Sequence, residues 1–268
     1  MTDAGSSDWA SAGGHVDSWA PIPRQFRRLN GPLPPSWEAL YGPLRAGRVD
    51  DLMVVAQLGQ SIDGRIATAS GHSKYINNAA GLDHLHRLRA LVDAVVIGVG
   101  TALNDDPQLT VRRVAGPNPA RVVIDPRGRL SGSARLLRPD GARRLLIVGN
   151  GAVPALGDGI EIIRLALTAG VAAPAAILNE LRAKGFRRIL VEGGTRTVSG
   201  FLASGCLDRM HVMVAPVILG DGLPSLALPP IERADDALRP PVSPHLLDGE
   251  VLFDIDLSSR RRAITPRA

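Results

Sequence analysis

The run Ile189-Leu-Val-Glu-Gly-Gly-Thr195 places one acid at the end of an apolar stretch, two glycines after it, and a helix-like pattern from Thr195 onward. A carboxylate delivered this way can hold a polar ring. Glycines let backbone approach a ligand closely, and the first N–H groups of a helix lack internal partners and attract anions. The same Gly193-Gly194 can also be a plain turn, so the other polar groups matter. Asp63-Gly64 follows the apolar run Leu52 to Leu58, and Asn104-Asp105-Asp106 follows Gly98-Val-Gly-Thr101. Asp125-Pro126-Arg127-Gly128-Arg129 closes a third apolar run. Asp63 reads as turn chemistry or as a candidate acid.

Several chemistries lack their residues. No His-x-x-x-His or cysteine cluster offers metal-ligand spacing, so no metal is expected. There is no Gly-x-Ser-x-Gly elbow and no Walker loop. Gly98-Val-Gly100 lacks the third glycine of a dinucleotide fingerprint. The remaining set of glycines, helix starts, arginines and carboxylates suits phosphates and polar rings. Hydride transfer fits such a site, because the cofactor carries the chemistry and the protein orients it.

The elements that must position these groups can be read from hydropathy. Apolar runs at Leu52–Leu58, Asp93–Gly98, Arg121–Asp125, Arg144–Gly149, Ile160–Arg164, Ile189–Glu192 and Asp208–Ala215 predict strands. Glu250–Leu257 alternates in period two and predicts a half-exposed antiparallel strand. Helices are predicted over Ala79–Leu91, Val171–Lys184 and Thr195–Ala203, the first capped by Asn77 or Asn78, while Val99–Thr101 predicts a turn. On the first helix Leu82, Leu85 and Val92 form the expected buried stripe. At about 100° per residue, Arg89 lies within about 40° of that stripe, with Arg87 nearly opposite. A buried arginine needs an anionic partner, either an acid of the fold or a ligand. The pattern is α/β: a three-layer α/β/α domain with a mostly parallel sheet and antiparallel C-terminal strands. In such sheets ligands sit beyond the carboxyl ends of the strands, so the turns at Gly98–Thr101, Asp125–Arg129 and Glu192–Thr195 are expected on one rim.

The 268 residues divide into an arm (1–48) rich in Pro and Gly with Trp9, Trp19, Trp37 and Tyr41, a main domain (49–258) and a basic tail (259–268). The arm is expected to be extended, packing on the body or a partner subunit, or disordered. The formal charge of +5 is carried mainly by arginine, since Lys74 and Lys184 are the only lysines. That balance points to anionic small molecules. No dense basic run is interleaved with aromatics, so nucleic acid is not expected. The runs Arg27-Arg28 and Arg260–Arg262 read as solvated tails. The single Cys206 excludes an internal disulfide. Neither a signal peptide nor a membrane span is expected, which predicts a cytoplasmic protein.

Taken together, Ser61-Ile-Asp-Gly-Arg-Ile-Ala, Ser70-Gly-His-Ser-Lys-Tyr-Ile, His86-Arg-Leu-Arg-Ala, Gly98 through Arg112, Val123-Ile-Asp-Pro, Val191-Glu-Gly-Gly-Thr and Ala215-Pro-Val-Ile-Leu-Gly carry a resemblance. Over roughly residues 50–258 the chain resembles the reductase domain of riboflavin biosynthesis, whose fold is like that of dihydrofolate reductase. The resemblance implies that NADPH reduces a phosphoribosylamino-pyrimidine, opened at its sugar to an imine or aldehyde, to a ribitylamino product. It implies substrate contacts at Ser73, Arg89, Leu109 and Arg112, with the arginines on the phosphate and Glu192 on the pyrimidine. Glu192 and Asp63 are the candidate catalytic carboxylates. Cofactor contacts are implied at Gly59, Tyr75, Thr101, Asp105 and Pro126, and along Gly194, Thr195, Arg196, Thr197, Val198, Ser199 and Gly200 at the pyrophosphate. We add Arg127 or Arg129 as the group that meets the 2′-phosphate. Family proteins are typically homodimers, which places Val212 and Phe253 among candidate interface residues. Two positions depart from the pattern: Gln57 stands where a lysine is usual in the bifunctional bacterial enzyme, and Tyr75 where tryptophan is usual. The zinc-binding deaminase signature is not present. A paralogue acting on another heterocycle or carbonyl, and a non-catalytic nucleotide-binding module, are the other open readings.

Overall fold

The computed structural model describes residues 17–28, 31–47, 49–74 and 76–264. Trp9 and Tyr75, singled out above, lie outside them. Two short helices, α1 (Ile22–Arg28) and α2 (Pro35–Tyr41), precede β1 (Met53–Ser61) and β2 (Arg65–Thr68). Then come α3 (Ala79–Leu91), β3 (Ala94–Gly98), α4 (Val99–Asp105), β4 (Ala120–Ile124), β5 (Arg144–Gly149) and β6 (Glu161–Leu165). A small hairpin, β7 (Leu167–Thr168) and β8 (Val171–Ala172), leads into α5 (Pro174–Ala183), β9 (Arg188–Val191) and α6 (Thr195–Ala203). The chain ends with β10 (Arg209–Ala215), β11 (Gly222–Pro224), β12 (Val242–Leu247) and β13 (Glu250–Asp256).

Among the described residues the main sheet has the strand order β12-β13-β10-β1-β9-β3-β4-β5-β6. From β10 to β6 all pairings are parallel, whereas β13 runs antiparallel to β10 and to β12. Period-two alternation sends successive side chains to opposite faces. Val54, Ala56, Val96, Ile147 and Val191 join one aliphatic core with Leu178 of α5 and Phe201 of α6. Val55, Val95, Ile97, Val148 and Leu190 join another with Leu88 of α3, Tyr41 of α2 and Phe26 of α1. The result is three layers, α/β/α, with the mostly parallel sheet in the middle. The same parity puts Glu192, one residue after Val191, on the α3 side.

Several local expectations change. Val99–Thr101 is the first turn of α4, because burying Val99 and Ala102 against the sheet outweighs the weak propensity of Gly100. On α3, Leu82 is exposed; the buried stripe is His84, Leu88 and Leu91, rotated away from the predicted one, and Arg89 is buried with it. The helix expected from Val171 starts at Pro174, since Ala169 and Gly170 take φ of +49° and +77° and turn Val171–Ala172 back onto Leu167–Thr168. The basic runs are not loose tails. Arg27 caps the last carbonyls of α3 at Ala90 and Val92 (3.0 and 3.3 Å), and Arg261 is buried against Asp208 at 3.4 Å. Residues 17–28 and 31–47 pack on the body, one of the expected alternatives, but through two short helices that bury Ile22, Phe26, Trp37, Leu40 and Tyr41 and not as an extended arm.

Candidate active site

The three turns predicted on one rim do converge. Gly98–Thr101, Pro126–Arg129 and Gly193–Thr197 line a single open cavity of about 860 Å³, within the usual range of about 300–1,000 Å³ for ligand sites. Asn104 and Asp105 at the end of α4 and Ser73 from the loop after β2 also line it.

The wall between β3 and β9 is built from small groups. Gly193 adopts φ +107°, and a Cβ there would lie 2.8 Å from Thr101 Oγ1. The Thr101 hydroxyl accepts the Gly194 N–H at 2.9 Å, joining the two strand-end turns. Helix α6 has Gly194 as its N-cap with no side-chain cap, so its first N–H groups face the cavity mouth unpaired by a side chain. A Cβ at Gly100 or Gly200 would meet no protein atom within 4 Å, so any side chain there would stand in the cavity. These features fit a dinucleotide: an open helix start for a phosphate, and glycines where a larger residue would block approach.

The predicted stretch 194–200 divides by helical period. Gly194, Thr195, Arg196, Thr197 and Gly200 line the cavity, but Val198 is fully buried in the core and Ser199 accepts the Ala227 N–H at 2.9 Å. A helix cannot present seven consecutive residues to one ligand, so Val198 and Ser199 are corrected to packing and loop-anchoring roles. Asp125, buried, accepts the Leu130 N–H at 2.7 Å and shapes the turn that presents Arg127 and Arg129, both exposed at the cavity. Partial desolvation raises the Asp105 pKa, opposed by Lys74.

Arg89 and Glu192 are joined to each other. Arg89 Nε and Nη2 donate to the two Glu192 oxygens at 2.7 and 2.6 Å, a bidentate pair with both side chains 7 % exposed. Of the two partners open to a buried Arg89, the fold supplies the protein acid. Arg89 also donates to the Thr110 carbonyl at 3.4 Å. Leu109 is buried, and its φ of +57° turns the chain so that Thr110–Arg112 return toward α3. The Arg112 N–H donates to His86 Nδ1 at 3.1 Å. Desolvation first, then Arg89, Arg112 and Arg113, pushes the His86 pKa down to about 4, so His86 is neutral at physiological pH and keeps its acceptor. Desolvation, then the neighbouring Arg89, Arg135 and Arg113, also lowers the pKa of the exposed Arg112, with Glu192 opposing. Arg89 and Arg113 each have a carboxylate partner, Glu192 and Asp83, at 2.6 Å, so the exposed Arg112 is the guanidinium of this group best placed to meet an anion.

Asp63 does not line the cavity. It is exposed, and accepts from the Ser61 hydroxyl (2.5 Å) and from the backbone N–H groups of Leu219 (3.1 Å) and Gly220 (2.7 Å). These hydrogen bonds, Ser61 first, lower its pKa to about 2. Engaged by these three donors and outside the cavity lining, the carboxylate acts in this structure as a clamp. What it clamps is the two-stranded ribbon of β2 and β11, whose Ile66, Ala67, Leu223 and Pro224 form one cavity wall. The ribbon is latched to α6 by the Thr195 hydroxyl, which donates to the Pro224 carbonyl.

Gly59 also lies off the cavity, where a Cβ would strike Asn77 Oδ1. Gln57 is buried in β1, in register with His211. Sequence reasoning missed the β7–β8 hairpin, and missed that it and the first turn of the expected helix α5 supply Gly170, Val171, Ala172, Pro174 and Ile177 to the cavity. The Ala169-Gly170 pair, both at positive φ, is the two-residue loop that could have signalled the hairpin.

Comparison with known proteins follows the same outline. The family model described as the RibD C-terminal domain matches residues 53–234. The riboflavin biosynthesis protein RibD of Aquifex aeolicus is 34% identical over 174 residues, 63% of this chain and 48% of that protein. The 2,5-diamino-6-ribosylamino-4(3H)-pyrimidinone 5′-phosphate reductase of Methanothermobacter thermautotrophicus is 34% identical over 175 residues, 62% of this chain and 79% of that protein. The chain therefore spans about half the length of the bacterial relative and most of the archaeal one. A crystal structure of a diaminohydroxyphosphoribosylaminopyrimidine deaminase/5-amino-6-(5-phosphoribosylamino)uracil reductase from Thermotoga maritima superposes with a TM-score of 0.66 at 27% identity, covering 81% of this chain and 58% of that one. With a family match that takes in β1 to β11, the cavity turns and the arginine loop, the chain belongs to the RibD C-terminal domain family.

Proposed function

We propose that the chain is an NADPH-dependent reductase of a 5-phosphoribosylamino-pyrimidine, yielding the ribitylamino-pyrimidine phosphate of riboflavin biosynthesis. The observation that carries this reading is the one cavity that gathers the uncapped start of α6, the glycines at 98, 100, 193 and 194, and Arg127 and Arg129, with the Arg89–Glu192 pair one residue ahead of Gly193. The family relatives named as reductases of such compounds support it. When bound, the reduced nicotinamide supplies a hydride. That hydride would go to sugar C1′ of the open-chain imine, whose nitrogen would take a proton, to give the ribitylamine.

The residues divide the work. Gly194, Thr195, Arg196, Thr197 and Gly200 would hold the pyrophosphate, and Thr101, Asp105 and Pro126 would contact other parts of the cofactor. Arg127 and Arg129 meet the 2′-phosphate, where guanidinium is well matched to a phosphate dianion. On the substrate side Ser73 hydrogen-bonds the ligand and Arg112 takes its phosphate. Arg89 acts from behind, neutralised in part by Glu192, which turns its remaining lone pairs toward the pyrimidine. Leu109 contributes through its backbone bend.

NADPH oxidation is to be followed with the deaminated uracil compound and with the diaminopyrimidinone, each with mass spectrometry of the product. Turnover of one or both with gain of two hydrogens is expected. Tight NADPH binding with no turnover of either would overturn the reading. Arg127→Ala together with Arg129→Ala is expected to narrow the preference for NADPH over NADH; an unchanged ratio removes these residues from the 2′-phosphate. A homodimer accompanies the proposal. Strand β12 ends the sheet with Val242 and Leu246 exposed, and such an edge is normally covered. Leu246→Arg is expected to shift the sedimenting species from dimer to monomer. Among the described residues no helix is long and apolar enough to cross a membrane.

A further inference from the structure

Residues 17–47 lie ahead of the stretch shared with the family, yet they grip the parts of the fold that carry the arginines. Arg27 donates to the Ala90 and Val92 carbonyls at 3.0 and 3.3 Å, closing the C-terminal end of α3. Tyr41 Oη lies 3.0 Å from His84 Nδ1, one turn before Leu88 and Arg89 on the same helix. The Arg87 guanidinium sits over both indoles, 5.6 Å from the Trp19 ring centre and 5.0 Å from that of Trp37. Trp19 and Trp37 meet edge to face at 5.3 Å, and Trp19 and Tyr41 at 5.5 Å.

The same cluster reaches the arginine loop. Trp19 Nε1–H donates to the Ala115 carbonyl at 2.8 Å. Gly116, next along, is packed so closely on α3 that a Cβ there would come within 2.5 Å of Ala90 Cβ and 3.5 Å of Pro23 Cγ. The loop from Val111 to Asn118 is also held by the Arg112 N–H on His86, the Val111 N–H on Asn118 Oδ1 (2.7 Å), Asn118 Nδ2 on Asp140 (2.9 Å), and Arg113 on Asp83 (2.6 Å) and the Ala79 carbonyl (3.4 Å). Arg112 and Arg113 therefore have α3 behind them and Trp19 holding the far side of their loop.

We propose that residues 17–28 and 31–47 form a positioning element for the anion-binding Arg112, and that Trp19, through its indole N–H on Ala115, fixes the far side of the loop that carries it. This rests on the reading of Arg112 as the phosphate anchor. A segment that merely added stability would affect both ligands alike. One that positions the loop affects the phosphorylated substrate alone, because the cofactor residues lie on the turns after β3, β4 and β9.

The test is Trp19→Phe in the full chain, which keeps an aromatic ring and removes the N–H donor. KM for the phosphorylated pyrimidine is expected to rise about threefold to tenfold, the scale of one hydrogen bond. KM for NADPH, kcat and KM for the dephosphorylated pyrimidine are expected to stay at wild-type values. Backbone amide exchange at Val111 and Arg112 is expected to speed up. A parallel rise in KM for NADPH, an equal rise for phosphorylated and dephosphorylated substrates, or a lowered Tm with no change in KM would overturn the proposal. Failure of the wild-type protein to turn over either pyrimidine would overturn the functional reading instead. In that case amide exchange still decides whether Trp19 holds the loop, and unchanged exchange in Trp19→Phe sinks the idea.

Discussion

The turns after β1 and β9 begin alike. Asp63-Gly64 and Glu192-Gly193 each place an acid before a glycine with positive φ, +76° at Gly64 and +107° at Gly193, at the carboxyl ends of neighbouring parallel strands. After Asp63 the chain doubles back as β2, and the carboxylate finds backbone N–H groups of the 219–220 loop. After Glu192 the chain enters α6, and the carboxylate lies on the α3 face against Arg89. One acid holds a cavity wall from outside while exposed to water. The other is buried beside the cavity, and the open helix start follows it. An acid–glycine pair at a strand end thus takes its role from the element that follows and from the face it lands on.

The largest expected effect separates the two acids. Glu192→Ala or Arg89→Ala leaves the partner charge buried and unpaired, which is expected to cost about 3–5 kcal/mol in denaturant unfolding. A loss under about 1 kcal/mol would make the pair equivalent to an exposed one and break the contrast. Next come the glycines. Gly193→Ala adds to its backbone strain a Cβ 2.8 Å from Thr101 Oγ1, whereas Gly64→Ala meets nothing within 4 Å. The expected losses are about 2–3 kcal/mol at Gly193 and about 1 kcal/mol at Gly64, and equal losses would erase the distinction.

A smaller effect is expected from Asp63→Ala. Loosening the β2–β11 wall should raise KM for NADPH about twofold to fivefold, on the scale of lost exposed hydrogen bonds, and leave kcat unchanged. A collapse of kcat with normal KM would return Asp63 to catalysis. The smallest effect is in pH dependence. Because the folded pKa of Asp63 is depressed from 3.8 to about 2, its clamp contribution is complete above the ordinary value and fades as pH falls toward the lower one. Stability of the wild-type protein should therefore lose this contribution in that acidic window and Asp63→Ala should lack it. No inflection in kcat/KM near neutral pH should trace to Asp63.

Much of the scaffold was legible because it is aliphatic and periodic. The strands containing Val95, Val122, Leu146 and Leu190 stand out as apolar runs, and α6 begins where the pattern after Gly194 predicts. Arg89 was placed on the buried side of α3 correctly, although the stripe built on Leu82 was not. The actual stripe includes His84, which hydropathy discounts and which is buried here because Tyr41 and His211 satisfy both its nitrogens. Short elements held by tertiary contacts left weak signals. The β7–β8 hairpin, β11 and β12 are each too brief or too polar to show alternation, and β12 is stabilised by pairing with β13. The aromatic residues of the N-terminal segment gave no pattern of their own, since Trp19, Trp37 and Tyr41 become a cluster only against α3.

The sequence by itself determined the layered α/β architecture, the strand ends that meet at the cavity, and the placement of Glu192 between an apolar strand and a helix start. Period two and period 3.6 are local properties, and local spacing carries them. Tertiary structure alone decided that Arg89 belongs to Glu192, that Asp63 clamps a ribbon, and that Val198 and Ser199 turn away from the cavity. Each of these depends on a partner far along the chain: 103 residues separate Arg89 from Glu192 and 157 separate Asp63 from Gly220. The fate of a polar side chain is set by whichever hydrogen-bonding group the fold brings within about 3 Å of it, and spacing along the chain does not encode that distance.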